Sequence, residues 1–322
     1  MTARLPKIGL AALFSALAAL LCLPSCSMEG ADGGRVADIA ASLEQLAPRD
    51  LRKTDFVMPG VVVLCGEIVP LDRPAVYERL EAEFLLAVNH PAQVELWRRR
   101  ALRYFPLIEE SLRKAGLPDD LKYLAVAESD LRPEVFSPAG AAGLWQFMPS
   151  TARHFGLTVS KEVDQRMLPE PLLGIGMRYL SQLRARFGSW ALAMAAYNSG
   201  EARVSGALKN QGPGDYYQLA LPAETERYVY RIAAIKLVME GAGGYGFKGA
   251  PAAGLYRPKA YVEVTRNYPE PVAWLRIAKD EGCDYKTLRL LNPHLQAREE
   301  LKGGPFAIRL PAGAGRPKTV GT

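Results

Sequence analysis

The amino-acid sequence predicts a mainly α protein with a small α+β module at its C-terminal end. Three observations carry that expectation. From residue 72 to residue 240, apolar side chains recur at helical spacing, in runs opened by Pro, Ser or Asn and closed by Gly. Residues 241–255 are rich in Gly and Ala and break the pattern, which marks a linker. Residues 256–311 then read as strand, helix, helix, strand, a βααβ order.

The helical runs follow one another with clear punctuation. Pro74 suits the first turn of a helix, and Val76, Leu80, Phe84 and Val88 follow at four-residue steps. Asn89 is a candidate cap for a second helix starting at Pro91. A third is expected over 106–115, between Pro106 and Gly116. A fourth starts near Pro118 with Asp119 and Asp120 in its first turn, where acids meet the positive end of the helix dipole. Pro149 opens a short helix ending near Gly156, and another covers 171–187 before Gly188. Ser189 is placed to cap 190–198, which Gly200 closes. Runs 201–209 and 223–240 complete a helical domain, 72–240, large enough to bury a core. In the C-terminal module, 261–264 alternates like a strand, 272–280 and 285–291 are helical, and 306–311 is the closing strand. The tail, 312–322, is rich in Gly, Pro and Lys and is expected to be disordered. Within the linker, residues 241–246 match G-x-G-x-x-G, but they follow a helix where a nucleotide fingerprint needs a strand, so the linker reading stands.

Residues 1–25 read as an export signal. Arg4 and Lys7 precede an uncharged apolar run, 8–23, short for a membrane span and followed by small residues. Leu23, Ser25 and Cys26 resemble a bacterial lipobox, in which the Cys becomes the lipid-bearing first residue of the mature chain. Pro24 is unusual at its place, and ordinary cleavage nearby, giving a soluble exported protein, is the alternative. A lipidated Cys26 implies the cell envelope, with an anchor in the outer membrane and the protein facing the periplasm. Residues 26–71 are expected to be a tether and N-terminal segment, with a short helix at 36–46 and an extended apolar stretch within 56–69.

Composition narrows the classes. The chain has 322 residues, 49% hydrophobic and 23% charged, as a globular protein does. Its formal net charge of +6 falls to +4 when residues 1–25 leave with Arg4, Lys7 and no acid. No Lys/Arg run accompanies this mild excess, which suits an anionic polymer or membrane surface and speaks against nucleic acid. Beyond the signal and Cys26, only Cys65 and Cys283 remain. They lie in different expected domains, either paired in an oxidising compartment or as two buried thiols. His90, His154 and His294 are isolated and lack ligand spacing, so no metal is expected, and no cofactor motif is present.

The chemistry concentrates around one carboxylate. Leu121, Leu124, Ala125 and Glu128 fall at i, i+3, i+4 and i+7 on one helix face. That face is apolar until it reaches Glu128, which also sits near the negative end of its helix. Burial and the dipole both push its pKa up, towards the protonated carboxyl that a general acid requires. A buried Glu paired with Arg or Lys is the plainer alternative. Three further segments place polar or aromatic groups beside apolar runs. Residues 137–149 combine Ser137, glycines that let backbone approach a ligand, Trp145, Gln146 and Phe147. Residues 195–200 hold Tyr197 and Asn198 at a helix end. Residues 224–229 hold Glu224, Thr225 and Tyr228. Taken singly, the aromatics read as core, Asn198 as a cap, Gln146 as surface, and 224–226 as a helix start.

In this order, Glu128-Ser129, Gly143-Leu144-Trp145-Gln146, Ala196-Tyr197-Asn198-x-Gly200 and Glu224-Thr225-x-x-Tyr228 resemble the motif series of the soluble-type lytic transglycosylases, nearest their membrane-bound D group. Pro149-Ser150-Thr151-Ala152 and Phe187-Gly188-Ser189-Trp190 add to the likeness, which covers about residues 100–240. The resemblance implies a goose-lysozyme-like helical fold acting on peptidoglycan glycan strands. It implies that Glu128 protonates the glycosidic oxygen between N-acetylmuramic acid and N-acetylglucosamine, then takes the proton of the muramoyl 6-hydroxyl as that oxygen attacks C1. The product would be a 1,6-anhydromuramoyl end, made with one carboxylate where an ordinary glycosidase uses two. Asp130 is a poor second carboxylate, about 200° round an ideal helix from Glu128, and Asp164 and Glu201 have no fixed place in the sequence alone. By the same resemblance Ser137 contacts substrate and orients the acid, Gln146 and Asn198 bind sugar polar groups, and Tyr197 and Tyr228 line the catalytic centre.

The C-terminal module resembles a LysM peptidoglycan-binding domain through Leu275-x-x-Ala278, Gly282, Leu288-x-x-Leu291-Asn292-Pro293 and 308–311. It lacks the usual Gly-Asp-Thr after the first strand. A muramidase of the same fold that uses water, and a non-catalytic wall binder, are the alternatives. A serine hydrolase is disfavoured because no Gly-x-Ser-x-Gly is present.

Overall fold

The computed structural model describes residues 56–212, 214–247, 256–302 and 304–314. The export signal, Cys26, the expected helix at 36–46, residues 248–255 of the linker and the tail from 315 lie outside the described residues. In chain order the helices are α1 (Pro74–Val88), α2 (Pro91–Ala115), α3 (Lys122–Ser129), α4 (Pro149–His154), α5 (Pro169–Phe187), α6 (Trp190–Ser199), α7 (Glu201–Gln211), α8 (Ala223–Glu240), α9 (Trp274–Asp280) and α10 (Tyr285–Leu291). The strands are short: β1 (Val63–Leu64), β2 (Glu67–Ile68), β3 (Tyr261–Asn267), β4 (Val272–Ala273), β5 (Glu300–Leu301) and β6 (Pro305–Pro311). The protein is mainly helical, with its longer strands confined to the C-terminal end.

One expected boundary disappears. Residues 91–115 form a single helix with Pro106 inside it. A proline in a helix interior loses one backbone hydrogen bond and costs about 3 kcal/mol. Here the apolar face runs straight across it: Val94, Trp97, Ala101, Tyr104, Ile108 and Leu112 are all buried at three- and four-residue steps. Asn89 ends α1 instead of opening α2, whose N-cap is His90. The α3 helix is preceded by a 3-10 turn at Asp119–Leu121 that holds the two acids.

Helix α8 is the centre of the helical unit. It packs on α1, α3 and α6, while α5 packs on α6 and α2. Helix α6 is buried on all sides from Trp190 to Ala196, as expected of a helix apolar all round. Its first turn is held twice: Ser189 Oγ accepts from the Leu192 amide at 3.2 Å, and the Glu67 carboxylate accepts from the Trp190 amide at 2.7 and 2.9 Å.

Glu67 belongs to a segment that the sequence left without a purpose. Met58, Val62, Leu64, Cys65 and Val69 are buried in the same apolar cluster as the helices. Strands β1 and β2 pair Val63 with Ile68 and Leu64 with Glu67. The two turn residues, Cys65 and Gly66, have φ of 54° and 78°, the left-handed pair that matches strand twist in a two-residue hairpin. Lys236 of α8 donates to the Val63 carbonyl at 2.9 Å and to Asp120 at 2.8 Å, tying the hairpin down. The helical core therefore reaches back to residue 56. It also extends past α8, where Tyr245 packs edge-on against Phe84 and Phe56 with ring centroids 5.2 and 6.2 Å away.

The C-terminal module is the expected βααβ, with an added short pair. β3 and β6 run antiparallel from Tyr261↔Pro311 to Asn267↔Pro305, and β4 pairs with β5. Trp274, Ile277, Leu288, Leu295, Ile308 and Leu310 fill its own small core. Cys65 and Cys283 are both free thiols. Among the described residues no helix is long and apolar enough to cross a membrane, and no His, Cys, Asp and Glu cluster is placed to hold a metal.

Candidate active site

A cleft of about 1170 Å³ opens between α1, α2, the segment after α3, α6 and α8. Glu128 lines it from the penultimate position of α3. Asp130 and Leu131 follow in left-handed conformation (φ 54° and 57°) and turn the chain away, so the helix stops at once. Asp130 accepts from the Trp97 indole N–H at 2.8 Å, outside the cleft's residue set. Glu128 is half-buried: part of its surface stays open to the cleft, and protein encloses the rest. Burial is the largest influence on its carboxyl and raises the pKa to about 7. A hydrogen bond from Tyr228 and the charge of Arg231 lower it, and the charge of Glu224 raises it.

From α8, Tyr228 reaches the acid and Arg231 lines the same cleft. The Tyr228 hydroxyl donates to Glu128 Oε1 in a short hydrogen bond. Such a donor steadies the carboxylate without removing its affinity for a proton, because burial outweighs it here. From the end of α6, Tyr197 donates to the Trp145 carbonyl at 2.6 Å and stands near enough for the Glu128 charge to raise its own pKa further. Asn198 accepts from the Thr225 hydroxyl at 2.9 Å through Oδ1, which leaves its amide N–H groups for a ligand.

The opposite wall is the 137–148 segment. It folds back on itself through bridges from Phe136 and Phe147 to Ala142. Ser137 Oγ accepts from the Ala141 amide at 2.9 Å and keeps its proton to give. Gln146 sits at φ 48°, a strained place for a non-glycine residue. Its side-chain nitrogen donates to the Val135 carbonyl at 3.0 Å and to Gly143 at 2.8 Å. Both amide protons are thus used inside the segment, and only Oε1 remains as an acceptor for a ligand. Ser129, next to the acid, donates to the Leu144 carbonyl at 2.8 Å and joins α3 to this wall.

All six residues expected at the site, Glu128, Ser137, Gln146, Tyr197, Asn198 and Tyr228, line this one cleft. Trp145 does not. Its ring is fully buried, and a Cβ added to Gly176 would lie 3.6 Å from it, so only its carbonyl serves the site. Several cleft residues were not legible in the sequence. Tyr179, in the middle of α5, meets Phe147 and Tyr197 with tilted rings at centroid distances of 6.1 and 5.6 Å. Its only sequence signal is a polar-tipped ring on an amphipathic helix. Glu83 is a buried acid on the core stripe of α1, paired with Arg227 of α8 at 2.5 Å. The break it makes in an apolar stripe resembles that of Glu128 and was the available signal. Glu224 also lines the cleft.

Arg166 holds the segment from behind. It is 4% exposed, and its guanidinium binds both oxygens of Asp164 at 2.9 and 2.7 Å. The same group donates to the carbonyls of Gly140 and Phe147, each at 2.8 Å. Gly143 has φ 85°, and a Cβ there would sit 1.8 Å from the Arg166 carbonyl oxygen. Only glycine lets the segment lie this close.

Comparison with known proteins adds a family. The family described as Transglycosylase SLT domain matches residues 105–219, a span that begins within α2 and stops before α8. The membrane-bound lytic murein transglycosylase D of Escherichia coli K12 is 31% identical over 217 residues, covering 66% of this chain and 47% of its own. The soluble lytic murein transglycosylase of the same organism is 39% identical over 136 residues, 39% of this chain and 21% of its own. The crystal structure of the 70 kDa soluble lytic transglycosylase from Escherichia coli is similar at 23% identity and a TM-score of 0.40, over 66% of this chain and 44% of that one. The chain spans about half the length of the D-type relative it matches.

Proposed function

Because residues 105–219 match the family described as Transglycosylase SLT domain, we propose that this protein is a peptidoglycan lytic transglycosylase. It cleaves the β-1,4 bond between N-acetylmuramic acid and N-acetylglucosamine. The observation that carries the reading is Glu128: a carboxyl raised to about 7, hydrogen-bonded by Tyr228, at the wall of a cleft of about 1170 Å³. Protonated Glu128 gives its proton to the glycosidic oxygen as the C1–O bond breaks. The resulting carboxylate takes the proton from the muramoyl 6-hydroxyl while that oxygen bonds to C1. No water is consumed, and the acid is regenerated. Ser137, Asn198 and the Gln146 carbonyl oxygen supply polar contacts to the sugars, and Tyr197 with Tyr179 and Phe147 supplies an aromatic wall.

A hydrolytic reading has one observation in its favour, the presence of Glu83 and Glu224 in the cleft, since a second carboxylate can activate water. Glu83 is committed to Arg227, which leaves Glu224 as the carboxylate a hydrolytic mechanism would need. Product mass separates the two: digested sacculi should yield muropeptides lighter by one water, and reducing ends in their place would refute ring closure. Glu128→Gln should lower turnover by about a thousandfold, within the range for loss of a general acid, with the helical circular-dichroism signal unchanged.

The export signal and Cys26 support a lipid anchor in the outer membrane. Cys26→Ser should move the protein from the membrane fraction to the soluble periplasm. The LysM-like sequence of residues 256–311 supports glycan binding by the C-terminal module.

A further inference from the structure

We propose that the C-terminal module is a working part of the cleft wall, and that Asp164 and Arg166 are positioning residues through which it acts. A continuous path of short contacts joins the module to the cleft wall. Residues 158–168 run between α4 and α5 and fold into a small loop, with Val159 bridged to Asp164 and the Gln165 amide bonded to Thr158 at 3.0 Å. The outer side of this loop is paired with the module. Val163 forms an antiparallel bridge with Leu295, the Asp164 amide donates to the His294 carbonyl at 2.7 Å, and the Gln296 amide donates to Glu162 at 2.7 Å. The Val163 side chain packs into the module's core, not that of the helical unit. A second clamp lies nearby on α5. Glu170 accepts from the Tyr261 hydroxyl at 3.1 Å and from Arg309 at 3.1 Å.

The inner side of the loop faces the cleft segment. Asp164 is the junction: its backbone is bonded to the module, and its carboxylate holds Arg166, itself bonded to Gly140 and Phe147. The Phe147 carbonyl also accepts from the Ala142 amide at 3.1 Å, in the bridge that shapes the segment bearing Ser137 and Gln146. A buried guanidinium with four such acceptor atoms on three residues has one arrangement, and losing the carboxylate's fixed position leaves a buried charge unpaired. The module thereby sets the wall by fixing Asp164. This assignment stands on geometry alone; only its activity readout rests on the proposed glycan cleavage.

The test uses the full chain with Val163→Asp or Glu170→Lys, each of which breaks the docking without touching a cleft residue. Hydrogen exchange is followed on two sets of amides. Loss of docking should speed exchange at Asp164 and Gln296, and with it exchange at Ala141 and Ala142 by about tenfold or more. With glycan strands as substrate, kcat should fall about tenfold while KM changes little, because misplacing a cleft group by a fraction of an ångström slows chemistry more than binding. Faster exchange at Asp164 and Gln296 with unchanged exchange at Ala141 and Ala142 would overturn the proposal. Unchanged exchange at all four would overturn it too, since the pairing would not be what holds the module. A rise in KM alone would assign the module to glycan capture and not to the wall. If wild-type protein cuts no glycan but the exchange result holds, the function is wrong and the positioning stands.

Discussion

Burial raises the Glu128 carboxyl to a pKa of about 7, and its neighbours decide which way it leans. Tyr228 and Arg231 hold the Glu128 pKa down, and Glu224 holds it up. Activity that needs the protonated acid should therefore fall as pH rises through about 7. Tyr228→Phe and Arg231→Ala should move that falling limb to higher pH, and Glu224→Gln to lower pH, as read from kcat against pH. The same residue has a stability signature. Its folded pKa lies above the ordinary 4.5, so the native state holds the proton more tightly between the two values. The associated stability is full below about pH 4.5 and is lost as pH rises through about 7. Glu128→Gln should then stabilise the protein by about 3 kcal/mol at pH 8 and by nothing at pH 4, measured by urea unfolding. The Glu128 side chain was legible in the sequence as a polar interruption of an apolar helix face. Glu83 makes the same interruption, and no local signal told an acid that is free to work from one fixed by an arginine 144 residues further on.

At the scale of elements, the sequence marked most boundaries because proline, glycine and cap residues act locally. Pro106 misled because the buried face of α2 continues through it, and packing outweighed a missing hydrogen bond. The cleft segment after α3 was legible as glycine-rich but not in its support, since Asp164 and Arg166 bind it from across a separate loop. Its tightness is testable at one atom. Gly143→Ala puts a methyl group 1.8 Å from the Arg166 carbonyl at φ 85°. That clash and strained conformation should cost about 3 kcal/mol or more, with a matching drop in Tm and a larger loss of activity. The α6 start offers a gentler probe. Removing the Glu67 carboxylate by Glu67→Ala frees the Trp190 amide and should cost about 1 kcal/mol, as loss of a helix cap does.

Across the whole molecule, the parts of the helical unit that meet are far apart in the chain. Five side chains from residues 58–69 lie in its core. Each is worth roughly 1.5–3 kcal/mol of burial if large, against a total stability of about 5–15 kcal/mol. Deletion through Leu71 should therefore abolish cooperative unfolding, while deletion through Asp55 leaves every contact among the described residues in place. The sequence marked this stretch as extended and apolar but gave it no partner, because two-residue strands and a short apolar run carry too little periodicity to reveal one. A related consequence concerns time. Helix α8 carries Tyr228 and Arg231, packs against α1, and bonds to Val63, 173 residues earlier. Contacts of such long range form late, after much chain entropy has been spent. During synthesis from the N-terminus, the chain has no cleft until α8 has been made. The last helix of the unit thus acts as a safety catch: Glu128 has no walled cleft to work in until the helix that carries Tyr228 and Arg231 has been made.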